Sequence, residues 1–144
     1  MIRIFVSGHG SFASGILSAF TLILGKTAGA ELYSFDFPEG DSAQQLLARM
    51  KCAISKFAGE DEILIFTDVR GGSPFHMAVS CMSDDARCRV LYGVTLGMLI
   101  ETYMGRESYE DADELIDEVL KNKDHQSGCF RISDAESSCD LDDL

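Results

Sequence analysis

Short runs of β-branched and aromatic residues alternate with longer stretches of helical period along this chain, a pattern that confines it to a parallel sheet with helices on its faces. The third run, Ile63–Thr67, is nearly all apolar, as a strand covered on both sides must be. Right-handed crossovers with one reversal give the strand order 2-1-3-4. The expected fold class is α/β, a doubly wound three-layer sandwich.

Strands are predicted over Arg3–Ser7, Leu32–Asp36, Ile63–Thr67 and Arg89–Tyr92. The first helix runs from Ser11, as N-cap, to Leu24, with Ile16, Leu17, Phe20, Ile23 and Leu24 on one face and Gly25 as its stop. Ser42 to Gln45 reads as a capping box opening the second helix, whose stripe is Leu46, Leu47, Met50, Ile54 and Phe57. Ser73 is expected to cap the third helix, with Pro74 at its first position, and Thr95 the fourth, through Met104. Ser108 is expected to cap a fifth, burying Ala112, Leu115, Ile116, Val119 and Leu120. Phe75, Met77 and Met98 are read as core, and His76 and His125 as surface. A last short strand is predicted at Cys129–Ile132, so that one domain spans residues 1–132. Residues 133–144, with five acidic side chains and two leucines, read as an acidic flexible tail.

Charge narrows the function. The 144 residues carry a formal net charge of −12, which argues against nucleic acid as a partner, since affinity for a phosphate backbone comes from Lys and Arg. That charge is concentrated in residues 107–144, which carry −10, against −2 for residues 1–106. An anionic ligand is therefore acceptable to the body of the protein. The five cysteines are scattered without C-x-x-C spacing, which fits free thiols in a reducing compartment. The first apolar run stops at Ser7-Gly8, and Val90–Ile100 is interrupted by Gly93, Thr95 and Gly97, so the expectation is a cytoplasmic protein that is not membrane-embedded.

Ligands of open parallel sheets sit beyond the carboxyl ends of the strands, where the order reverses. Two loops lead there: Ser7-Gly8-His9-Gly10-Ser11 after strand 1, and Asp68-Val69-Arg70-Gly71-Gly72-Ser73-Pro74 after strand 3. In the order 2-1-3-4 they are neighbours, and His9 and Asp68 share one crevice. A carboxylate beside an imidazole fixes its tautomer and steadies positive charge on it. His9 is then a base acting on Ser73 or water, or itself a nucleophile; the flanking Gly8 and Gly10, which leave the ring open, favour the nucleophile. A phosphoryl group on that ring needs anion stabilisation. With no metal-ligand cluster in the sequence and no cofactor called for, the helix starts supply it: Gly10 and Ser11 at one, Gly71, Gly72 and Ser73 at the other. Arg70 reads by default as a solvated side chain, with steering of a phosphate or a partner protein as the alternative.

These residues resemble the mannose-type (mannose/fructose/sorbose) IIA component of the bacterial phosphoenolpyruvate-dependent sugar phosphotransferase system. The resemblance covers about residues 1–132 and rests on Ser7-Gly8-His9-Gly10 and Asp68-Val69-Arg70-Gly71-Gly72-Ser73-Pro74-Phe75. It implies that His9 receives a phosphoryl group from the histidine-containing phosphocarrier protein and passes it to a IIB component. Asp68 would orient the ring and Ser73 would contact the phosphoryl group. It also implies one antiparallel edge strand exchanged across a homodimer, which Cys129–Ile132 would supply. Val69 and Arg70 depart from the Thr-Trp pair of the best-known members. A receiver-like signalling domain phosphorylated on Asp68 shares this layout but needs an acidic pair where Ser7-Gly8-His9 stands. A flavodoxin-like binding module needs a longer phosphate loop, and this chain has no Trp.

Overall fold

The computed structural model describes residues 1–135. In chain order the elements are β1 (Ile2–His9), α1 (Phe12–Leu24), α2 (Lys26–Gly29), β2 (Leu32–Phe37), α3 (Ala43–Ile54), β3 (Glu62–Thr67), α4 (Ser73–Asp84), β4 (Cys88–Leu91), α5 (Leu96–Gly105), α6 (Ala112–Lys121), α7 (Lys123–Gln126) and α8 (Ile132–Ala135). The sheet is β2-β1-β3-β4, parallel throughout, as the crossover argument requires.

Alternation along the central strands divides the core. Ile4, Val6, Leu64 and Phe66 point to a layer that Phe20 of α1, Leu99 of α5 and Leu115 and Val119 of α6 complete. Phe5, Ile63 and Ile65 point the other way, onto Leu46, Met50 and Ile54 of α3 and Ala78 of α4. Both faces of β1 and β3 are covered, so their register is fixed by burial: a slip of one residue would exchange the two layers. Met98 is core, whereas Phe75 and Met77 are only half-buried, and Ile23 and Leu120 of the predicted stripes are exposed.

Several local expectations need correction. The Ser42–Gln45 capping box is formed, and Thr95 caps α5 by accepting from the Met98 N–H. Helix α4 is capped by Gly72 instead of Ser73, which moves Ser73 to the first helical position and Pro74 to the second. Helix α6 starts at Ala112 with Asp111 as its cap, because Asp111 accepts from the Glu114 N–H and Glu62 of β3 accepts from the Ala112 N–H, while Ser108 lies in the preceding turn. Tyr92 lies just past β4. Among the described residues the sheet has four strands: Cys129–Ile132 is not a fifth, and its backbone is irregular up to the short helix α8. Those four side chains are exposed, and the run pairs with no strand of the sheet. The predicted tail lies outside the described residues from 136 onward. No described helix is long and apolar enough to cross a membrane.

Candidate active site

Strand β1 ends at the crevice and is held there from both sides. Ser7 and Thr67, facing each other in the β1–β3 register, are buried hydroxyls that each donate to the carbonyl of the next strand outward: Ser7 to Phe35 at 2.9 Å, Thr67 to Leu91 at 3.2 Å. Past Thr67, the Gly93 N–H donates to the Asp68 carbonyl at 2.7 Å, which pins the start of the β3–α4 loop. Gly10 takes φ +56°, the left-handed region that favours glycine, and exchanges two backbone hydrogen bonds with Phe37. His9 is therefore the last residue of a strand clamped by both neighbours, and its ring is placed by rigid elements.

One carboxylate oxygen of Asp68 holds that ring. Oδ2 accepts from the His9 backbone N–H at 2.9 Å and from ring Nδ1 at 2.7 Å. An ionised carboxylate can only accept, so Nδ1 carries the hydrogen and the neutral ring has its lone pair on Nε2. Burial pushes the Asp68 carboxyl up, but the His9 N–H and ring, with the Val69 N–H behind them, outweigh it and hold it below the ordinary 3.8. Asp68 is therefore ionised at neutral pH. Its other oxygen, Oδ1, is buried without a hydrogen-bond partner. The Asp68 side chain is 12% exposed and that of His9 is 50% exposed, so the acid is sheltered while the ring is open to a partner.

The free edge of the ring faces the start of α4. A Cβ on Gly72 would lie 2.5 Å from His9 Cε1 and 3.1 Å from Nε2, so only glycine lets the ring sit there. Phe37 closes the other side, edge-on at 6.2 Å between centroids. Helix α4 leaves its first N–H groups without intrahelical partners: those of Ser73 and Phe75 are open, Pro74 has none, and that of His76 is taken by the Gly72 carbonyl. Because Gly72 caps the helix, the Ser73 hydroxyl makes no capping bond. These donors and the helix dipole lie at the end of α4 that the ring faces, an arrangement able to hold an anion.

The two helix starts are not equivalent. At α1, Asp36 of β2 already accepts from the Ser14 N–H at 2.8 Å, placing a carboxylate where an anion would bind. The Gly10 N–H is taken by Phe37, and Ser11 is exposed and makes no side-chain cap. The structure thus brings together His9, Asp68, Gly72 and Ser73, with Gly71 at φ +94° making the turn, and leaves Gly10 and Ser11 at the rim. Sequence reasoning missed Asp36 and Phe37. The signal was the parallel register, which sets Gly8 beside Asp36 and His9 beside Phe37.

The family model described as EIIA-man, "PTS system fructose IIA component", matches residues 3–120. The chain belongs to this family. It is 31% identical over 107 residues to the PTS system fructose-specific EIIA component of Bacillus subtilis (strain 168), covering 74% of this chain and 72% of that protein. It is 30% identical over 115 residues to the PTS system mannose-specific EIIAB component of Escherichia coli (strain K12), covering 80% of this chain but only 35% of that longer protein. Among solved structures, the phosphotransferase system component EIIA from Streptococcus agalactiae superposes with a TM-score of 0.82 at 31% identity, covering 90% of this chain and 98% of that one. The mannose/sorbose specific IIA subunit from Enterococcus faecalis, at 22% identity and a TM-score of 0.79, shares the fold.

Proposed function

We propose that this EIIA-man family member is a cytoplasmic IIA phosphocarrier of a sugar phosphotransferase system: His9 takes a phosphoryl group from the histidine-containing phosphocarrier protein and passes it to a IIB component during sugar uptake. The observation that carries this reading is the 2.7 Å contact from Nδ1 to Asp68, which leaves Nε2 open beside the start of α4. Nε2 attacks phosphorus, a new P–N bond forms, and the P–N bond to the donor's histidine breaks and returns its electron pair to that ring. The His9 ring gains positive charge in this step. Asp68 balances it without moving, and its sheltered setting strengthens that effect. Ser73 Oγ and the open N–H groups of Ser73 and Phe75 hold the phosphoryl oxygens, with Gly71 and Gly72 shaping the approach. Transfer onward to IIB is the reverse displacement.

Phosphorylation on Asp68 itself would require an exposed carboxylate, whereas Oδ2 is bound twice by His9 and Oδ1 is buried. The test is to incubate the protein with phosphoenolpyruvate, enzyme I and the phosphocarrier protein, then to measure intact mass. One acid-labile phosphoryl group, lost in His9→Ala, is the expected result; a label that survives His9→Ala overturns the assignment.

The same reading includes a homodimer. A cleft of about 600 Å³ runs along the free edge of β4, lined by Leu91, Met98, Ile116 and Leu120, and it contains neither His9 nor Asp68. Cys129–Ile132 of a second copy would add there as an antiparallel strand and cover the edge. Light scattering after size exclusion is expected to give twice the chain mass.

A further inference from the structure

The loop that begins with Asp68 also carries a cation that the chemistry at His9 does not use. Arg3, Arg49, Arg87, Arg89 and Arg106 each bond a carboxylate, those of Asp61, Asp41, Asp85, Asp113 and Glu31. Arg70 makes no such pair among the described residues. Its guanidinium carbon instead lies 5.3 Å from the centre of the Tyr92 ring. Tyr92 is half-exposed and is braced edge-on by Phe75 at 5.9 Å. Stacking of this kind restrains the arm while leaving its charge unneutralised. In a chain with a net charge of −12, this is a fixed positive point at the rim of the crevice.

Its position decides what it can do. The His9 ring stands at the end of β1 and faces Asp68 and Gly72 of the β3–α4 loop, whereas Tyr92 follows β4, on the far side of β3. Two strand spacings separate β1 from β4, about 10 Å. With its guanidinium drawn over Tyr92, Arg70 acts on a group at Nε2 through its field, which salt screens over about 8 Å at physiological ionic strength.

We propose that Arg70, held on Tyr92, is a steering residue that favours the phosphoryl-bearing form of the donor protein over its bare form. The proposal rests on the reading that His9 accepts a phosphoryl group from a protein donor. The open Nε2 is the accepting state, and in this state the cation is already in place. An arriving phosphoryl group brings about two negative charges toward an acidic protein, and a fixed cation beside the entry offsets that repulsion.

The experiment measures initial rates of transfer from purified phosphorylated donor protein to wild type, Arg70→Ala and Arg70→Glu, at low and high salt, with the unphosphorylated donor as competitor. At low salt, KM is expected to rise about threefold in Arg70→Ala and about tenfold in Arg70→Glu, with kcat within about twofold of wild type. High salt closes both gaps, and the unphosphorylated donor inhibits all three proteins equally. An unchanged KM in Arg70→Glu at low salt overturns the proposal, as does a loss confined to kcat. Inhibition by the bare donor that weakens in parallel also overturns it, because the cation then reads a carboxylate on the partner. Failure of the underlying reading is distinct: wild type itself would take up no phosphoryl group.

Discussion

Asp61 and Asp68 stand at opposite ends of β3, and both are largely buried, with side chains 6% and 12% exposed. They are satisfied differently. Asp61 accepts from the Arg3 guanidinium at 2.9 Å and from the Met1 amino group at 3.2 Å, so both its oxygens are met by donors, one of them a permanent cation. Asp68 directs one oxygen at a backbone N–H and an imidazole that need not be charged, and leaves the other without a partner. A carboxylate with matched charges stabilises the fold. One whose counter-charge is supplied only during a reaction can stabilise a cation that forms transiently beside it.

The largest effect expected from this contrast is on transfer. Asp68→Asn should slow phosphorylation of His9 by about a hundredfold or more, because the amide balances no charge and leaves the ring tautomer unfixed. Asp61→Asn should leave the rate within about twofold and lower Tm by about 3–6 °C. Equal rate losses in the two variants would break the distinction. Next in size is Gly72→Ala: its Cβ would meet the His9 ring at 2.5 Å, and displacing a nucleophile by a fraction of an ångström costs on the order of tenfold or more. The melting curve should change little, since the conflict is with a half-exposed ring.

The two helix starts give a smaller test. Ser73→Ala removes one donor at the anion site and should cost about fivefold in transfer rate, whereas Ser11→Ala should be nearly silent. A larger loss for Ser11 would return the anion to α1. The smallest effect is on stability against pH. The Arg3 hydrogen bond holds the Asp61 carboxyl below 3.8, and Asp68 also lies below that value. A carboxyl depressed in the fold contributes stability that is fully present above its unfolded value and is lost as pH falls through its folded value. Denaturation midpoints of wild type and both Asp→Asn variants should therefore converge below pH 3.8 and separate above it.

Much of this was legible in the sequence because it depends on pattern. The alternating runs fix four parallel strands, one reversal fixes their order, and these place His9 next to Asp68. What was not legible depends on groups far apart in the chain. Asp36 caps α1 across 22 residues, so Ser11 could be judged only from its own neighbourhood. Gly72 takes the cap of α4 because the chain must turn close against His9, a contact that only the folded sheet creates. Ser108 lost the cap of α6 to Asp111 through a turn whose length periodicity does not report. Cys129–Ile132 has the composition of a strand, but a strand forms only where it pairs, and this run pairs with no strand of its own sheet.

The account rests on Nε2 of His9 being the atom that takes the phosphoryl group, with Nδ1 kept by Asp68. Nitrogen-15 NMR of the imidazole, recorded before and after phosphorylation by the donor protein, tests this directly. The account predicts a hydrogen on Nδ1 in both states and a phosphorus–nitrogen coupling at Nε2 once the group is on. Coupling at Nδ1, or a phosphorylated protein whose His9 signals are unchanged, would contradict it.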